Sequence, residues 1–397
     1  MKILVVCDRY PYPLTNGQNL RIYHYARALR GRHEFDLLCY GDGAPPPEIR
    51  PLFGRVDVVP RPGKPAPMGG WQGLRASLDP AQFVVASEKA RARLTELLAG
   101  TRYDLVWMSG WDMIVNLPER PDVPLLADAV DDGVLEWWNA FRAARGWDAV
   151  RKLKGVWLNA RFERRYFGPA QGVLFVSDKD AGVFQRLNPA TPTYVVNNGV
   201  DADFFAPWQG TPSTDELVFE GNMSFAPNVD AAQWFVRDIL PLIHRERPAA
   251  HLSLVGNRPA PEVQTLAGEA VTVTGFVDDV RPYLGRAAVF VCPMRMGAGI
   301  KNKILQAWAM GKAVVGTPEC LGGLEAQPGV NIEVARSAEE FARVALALLA
   351  DPERAAALGR AARATIERHY TWARKADELD AVFTRVAGRP ALAGAAA

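Results

Sequence analysis

The stretch Gly297-Ala-Gly-Ile-Lys-Asn-Lys303 runs directly into an apolar segment, 304–310, and then into Gly311-Lys-Ala-Val-Val-Gly316. In order, this is a glycine turn, a helix and a buried strand, the loop–helix–strand portion of a βαβ unit. Gly297 and Gly299 let the backbone approach a ligand closely, and the helix start that follows presents unpaired N–H groups at the positive end of its dipole. Lys301 and Lys303 add two full charges, so the segment fits a phosphate or diphosphate. The alternative is a tight turn whose lysines face solvent; the pattern is not a Walker A, which requires G-x-x-x-x-G-K-[ST].

Outward from this stretch, short apolar runs alternate with longer amphipathic ones, the signature of parallel sheets flanked by helices. The first half predicts strands at 2–7, 36–40, 56–59, 105–108, 125–128, 172–177 and 193–197, with helices at 19–30, 87–98 and 155–166. Two prolines, a glycine and small polar residues at 205–214 mark a linker. A second alternation follows, with strands at 216–220, 251–255, 271–274, 289–292, 313–316 and 332–334 and helices at 229–246, 338–350 and 352–369. The last helix, 372–386, follows Tyr370 and Trp372, aromatics suited to anchoring the chain as it returns to the first domain. The expected architecture is α/β, with two doubly wound Rossmann-like domains facing a cleft, at 1–205 and 206–370; the returning helix occupies 371–388 and a flexible tail 389–397. A dehydrogenase is disfavoured, because the first strand runs into Asp8-Arg-Tyr-Pro-Tyr-Pro13 instead of G-x-G-x-x-G.

Composition narrows the function. The chain has 397 residues, 49% apolar and 23% charged, with a net charge of +2. That balance argues against a dedicated nucleic-acid binder. Four scattered cysteines without metal-ligand spacing suit a reducing compartment. The N-terminal apolar run is too short for a signal-peptide core, and no run of 18 apolar residues occurs. The expectation is a cytoplasmic protein.

Several motifs together resemble family 4 glycosyltransferases, which have the GT-B fold. The run from Gly297 to Gly311 followed by Ala-Val-Val is similar to that family's donor-binding signature, and Asn198-Gly-Val-Asp201 to the motif ending its first domain. Glu220-Gly-Asn-Met223 with Pro227-Asn228 resembles the loop after the first strand of the second domain, and Thr274-Gly-Phe-Val-Asp278 the nucleobase loop. Asp8-Arg-Tyr-Pro-Tyr-Pro13, with Gly17 and Arg21, looks most like sugar transferases found with bacterial exopolysaccharide loci.

The resemblance implies transfer of a sugar, with retention, from a nucleotide diphosphate sugar (UDP- or GDP-linked) to a hydroxyl on a sugar, lipid-linked or small-molecule acceptor, with no cofactor or metal required. An epimerase of nucleotide sugars and a degenerate scaffold that binds them without transfer are the alternatives. Lys301 and Lys303, with the backbone at Gly297, Gly299 and Gly221, would stabilise charge on the departing diphosphate. Asn222 and Asn228 stand where relatives carry an arginine and a lysine, and Ala298 and Gln306 where they carry paired glutamates. Gln306 could still hold a ribose, accepting with its oxygen and donating with its nitrogen. Phe276, Val277 and Asp278 would line the base, and Gly17 would bring a backbone N–H to the diphosphate or acceptor.

The implied catalytic carboxylate is Asp131 in Asp128-Ala-Val-Asp-Asp132, with Asp128, Asp132 and Arg21 on the acceptor side; strand-end aspartates are equally suited to capping helices. Asp201-Ala-Asp203 has metal-binding spacing but sits in a domain-closing loop and reads as turn chemistry. Residues 137–166 interleave Trp137, Trp138, Trp147 and Trp157 with eight basic residues. That stretch suits either peripheral contact with an anionic membrane or a helix pair with its aromatics turned into the core.

Overall fold

The computed structural model describes residues 1–63, 70–118, 122–296 and 299–389. The chain divides into two compact units, Met1–Asn198 together with the chain from Lys375 onward, and Gly199–Arg374.

The first unit is built on a seven-stranded sheet: β1 (Lys2–Cys7), β2 (Glu34–Tyr40), β3 (Arg55–Val59), β4 (Leu105–Ser109), β5 (Leu125–Val130), β6 (Gly172–Phe175) and β7 (Thr193–Val195), in the order β3-β2-β1-β4-β5-β6-β7. Every neighbouring pair is parallel. The strands are apolar runs because helices cover both faces, leaving β4 and most of β1 buried throughout. The order reverses between β1 and β4, which makes their carboxyl ends the switch point. The C-terminal helix, Trp372–Ala387, packs its later turns on this unit. Asp380 takes His33 at 2.8 Å, Asp377 takes Arg32 at 2.7 Å, and the Phe383 ring lies 5.4 Å from that of Trp107.

The second unit carries β8 (Glu216–Glu220), β9 (His251–Val255), β10 (Val271–Val273), β11 (Val289–Cys292), β12 (Ala313–Gly316) and β13 (Glu333–Val334), in the order β10-β9-β8-β11-β12-β13, also all parallel. Its switch point is between β8 and β11. Ser337 and Asp351 cap the Ala338–Ala350 and Pro352–His369 helices by accepting from Glu340 N and Arg354 N.

Among the expected elements whose bounds differ, three have a local cause. The 229–246 helix is Ala226–Trp234, a π-helical turn at Phe235–Ile239, and Leu240–Glu246, because Pro241 has no N–H for a regular ladder. The 155–166 helix begins earlier, at Gly146–Phe162, and closes in a π-helical turn, Glu163–Phe167. Gly155 sits inside it without breaking it, since a Cβ there would meet the Trp137 indole at 2.0 Å. The 172–177 strand stops at Phe175, where Ser177 caps the Asp178–Leu187 helix.

Candidate functional site

In the second unit, β8 delivers Gly221 and the Asn302–Ala309 helix delivers Lys303 to one spot beside the switch point. That helix buries Ile304, Leu305, Ala307 and Trp308, which leaves Asn302, Lys303 and Gln306 along its other face. Lys303 Nζ donates to Asn228 Oδ1 at 2.7 Å and lies 4.3 Å from the centroid of the Phe219 ring. Asn228 Nδ2 donates in turn to the Asn222 carbonyl at 2.9 Å. Gly221 leaves room for this pair: a Cβ would sit 2.7 Å from Lys303 Nζ and 2.8 Å from Asn228 Nδ2, so a side chain there would move one of them. Burial lowers the Lys303 pKa, opposed by the neighbouring Cys292 and Glu220. Burial raises that of Glu220, opposed by Lys303. The spot is therefore a partly desolvated ammonium held by amides, the chemistry that binds an oxyanion.

The other donor-side residues divide. Gly299, in the left-handed region at φ 71°, gives its carbonyl to Lys301 Nζ at 2.8 Å, so the buried Lys301 braces its own loop. Gly297 and Ala298 lie outside the described residues. Gln306 is half-buried, one turn beyond Lys303 on the same face. Asn222 spends its side-chain oxygen on Ser224, at 3.0 Å to N and 2.8 Å to Oγ, shaping the turn. In the 275–278 loop, Phe276 holds its ring 71% exposed, Asp278 is exposed and Val277 half-buried. Asp201 accepts from Phe204 N at 3.0 Å, so its carboxylate caps the turn that follows.

In the first unit, Asp128-Ala-Val-Asp-Asp132 splits three ways. Asp128 is sealed in the core with Arg21: Nε and Nη2 reach its carboxylate at 3.3 Å each, and Trp107 Nε1 donates to it at 3.2 Å. Arg21 also donates to the Val196 carbonyl at 2.8 Å and Asn198 Oδ1 at 3.0 Å. This pair, expected on the acceptor side, is buried and ties the Gly17–Leu29 helix to β5 and to the chain after β7, mutual neutralisation letting both charges leave water. Asp132 is likewise buried, capping the Gly133–Ala143 helix through Leu135 N at 2.6 Å. Around that helix start Glu163 accepts from Gly133 N and Asp180 from Asp132 N, at 3.0 and 3.1 Å. Burial, with Asp180 nearby, pushes Asp132 up to about 7, and burial with Asp132 nearby pushes Glu163 well above the usual carboxylate range. Asp131 alone of the three is exposed. It follows Val130, whose φ of 67° is a strained conformation for a β-branched residue, at a register shift between β5 and β6.

Gly17 opens the Gly17–Leu29 helix, whose cap is Asn16. Beside it at the switch point is a residue that sequence reasoning missed as a site: Asp8, at the end of β1. Its Oδ1 accepts from Asp112 N at 3.1 Å, and its other oxygen would lie 2.3 Å from a Cβ on Gly110, which explains a glycine there at φ 99°. Burial, reinforced by Asp112, raises Asp8 to about 7. The signal available in the sequence was position alone, an acidic residue directly after the first strand.

Comparison with known proteins bears on the fold and the class of enzyme. Residues 16–199 match the family model "Glycosyl transferase 4-like domain", and 214–351 match "Glycosyl transferases group 1". Over 282 residues the chain is 28% identical to alpha-maltose-1-phosphate synthase of Mycolicibacterium smegmatis, spanning 61% of this chain and 70% of that one. Among solved structures, sucrose-phosphate synthase from Thermosynechococcus elongatus superposes with a TM-score of 0.73 at 18% identity, over 97% of this chain and 99% of the other. Anabaena HepE, solved in complex with UDP-glucose, gives 0.67 at 15% identity over the same shares. With one glycosyltransferase model on each of its two α/β domains, one described as 4-like and one as group 1, the chain is an enzyme of the glycosyltransferase class with the GT-B fold.

Proposed function

We propose that this enzyme transfers a sugar, with retention of anomeric configuration, from a UDP- or GDP-sugar to a hydroxyl acceptor in polysaccharide or glycoconjugate biosynthesis. The observation that carries the donor assignment is the convergence of Gly221, Asn228 and Lys303 at the second sheet's switch point, with Gln306 on the same helix face. As the bond from the anomeric carbon to the β-phosphate oxygen breaks, negative charge grows on that oxygen, and Lys303 is the cation that takes it up. Lys301 and Gly299 hold the loop in shape, Gln306 takes the ribose hydroxyls, and the exposed Phe276 ring stacks on the base with Val277 and Asp278 beside it. In the first domain, the acceptor side, Asp131 stabilises positive charge at the anomeric carbon and Asp8 accepts the hydrogen bond of the acceptor hydroxyl.

Calorimetric titration with UDP, GDP and their sugars tests the reading. One nucleotide series should bind in the micromolar range, and the proton NMR spectrum of the product should show the donor's anomeric configuration. Absence of binding by every nucleotide would overturn the assignment, and turnover of donor without acceptor would point to epimerisation.

A further inference from the structure

The Gly146–Phe162 helix divides its residues unusually. Gly155, Leu158, Asn159 and Phe162 are buried, as an amphipathic helix requires. The exposed flank beside that face is not uniformly polar: Trp147 is 88% exposed, Val150 58% and Trp157 46%. At about 100° per residue, positions 147, 150, 154, 157 and 161 form one stripe, so Lys154 and Arg161 lie within the aromatic row. The Arg161 guanidinium stacks over Trp157 at 4.6 Å and donates to the Leu78 carbonyl at 3.2 Å. Leu78 and Phe83, both exposed, extend the apolar surface, with Phe83 5.7 Å from the Trp137 ring. Of the four tryptophans at 137–157, only Trp137 is drawn inward, against Gly155.

We infer that this face is the seat of an anionic phospholipid bilayer, on which the helix lies in the plane of the headgroups. An apolar surface of this kind marks an interaction site. The core of a protein–protein contact is depleted in lysine, whereas here Lys154 lies between Val150 and Trp157 on the stripe and the surrounding charge is almost wholly basic. Indoles favour the boundary between headgroup and acyl chain, and long basic side chains reach from there to lipid phosphates. Residues 137–166 hold eight basic side chains against Asp148 and Glu163, and Glu163 is buried. The inference deepens the proposed function by placing acceptor capture at a lipid surface, and it is tested separately from donor binding.

The experiment is flotation of the full chain with vesicles of phosphatidylcholine alone and of phosphatidylcholine mixed with phosphatidylglycerol. Wild type should float with the mixed vesicles, at least about ten-fold more than with neutral ones, and should be released at high salt, where screening shortens to a few ångströms. K154E/R161E should lower partitioning by about 25-fold or more, at about five-fold per basic residue removed. W147S/W157S should abolish flotation. Both doubles alter exposed or half-exposed positions, so their melting temperatures and nucleotide affinities should match wild type. Equal flotation by variants and wild type, no preference for anionic vesicles, or self-association of wild type that W147S/W157S abolishes would each overturn the inference.

Discussion

Replacing Lys303 by methionine tests the donor site with little disturbance of the fold. Methionine keeps the apolar stem beside Phe219 and removes the ammonium that donates to Asn228 at 2.7 Å. A hydrogen bond to a charged group contributes about 1.5–3 kcal/mol, so nucleotide affinity should fall by about 10- to 150-fold. In the transition state, where the diphosphate gains charge, loss of such a donor costs about 100- to 1000-fold in kcat. Fold stability should stay within about 1 kcal/mol of wild type, because removing a desolvated charge offsets the lost bond to Asn228. Burial lowers the Lys303 pKa, so its ammonium is lost at a lower pH than that of an exposed lysine. Wild-type binding should therefore weaken on the alkaline side, and the variant should lack that limb. Calorimetry with UDP and GDP, alongside steady-state kinetics, reads each quantity. Binding by K303M within about two-fold of wild type, with an unchanged alkaline limb, would refute the reasoning.

G221A should push the Lys303 ammonium aside, since its new Cβ would sit 2.7 Å from Nζ. Calorimetry should show an affinity loss of about ten-fold, for about 1 kcal/mol of stability in denaturant titrations. D8N should lower transfer at least about ten-fold while leaving nucleotide binding unchanged. Because Asp8 titrates at about 7, the acidic limb in the wild-type pH–rate profile should disappear from the variant. D132N keeps an N-cap oxygen for Leu135 but cannot ionise. The folded-state pKa of Asp132 is raised to about 7 by burial, so its contribution to stability is fully present below about pH 4 and lost as pH rises through 7. The slope is at most about 1.4 kcal/mol per pH unit. Urea melts should show D132N with a shallower pH dependence and more stable than wild type at alkaline pH, by roughly 1–3 kcal/mol; parallel curves for the two proteins would sink the assignment.

The sheets were legible because parallel strands buried on both faces read as apolar runs. The expected strands at 216–220, 251–255, 289–292 and 313–316 coincide with β8, β9, β11 and β12. The fate of charged residues was not legible. Arg21 and Asp128 are 107 positions apart, and nothing near either in sequence marks them as partners in a core. Local spacing also cannot separate three aspartates within five residues: one enters the core, one caps a helix, and one is turned outward by a strained valine. The tryptophans follow the same rule in reverse, since helical periodicity locates a stripe without saying which stripe the rest of the domain covers.

The neutral residues at 222 and 228, where the resemblance implies an arginine and a lysine, have a physical account. A second ammonium carried by residue 228 would share this desolvated site with Lys303, and like charges there disfavour each other's ionisation. Asparagine instead accepts from Lys303 with Oδ1 and donates with Nδ2 to the Asn222 carbonyl, so one amide both orients the ammonium and ties it to the turn after β8. A single oriented cation in a partly desolvated site acts on a developing oxyanion more strongly than the same charge in water. On the proposed reading, the departure from the family pattern concentrates the electrostatic task on Lys303, and it favours glycine at 221, because a side chain there would displace the atom on which the charge rests.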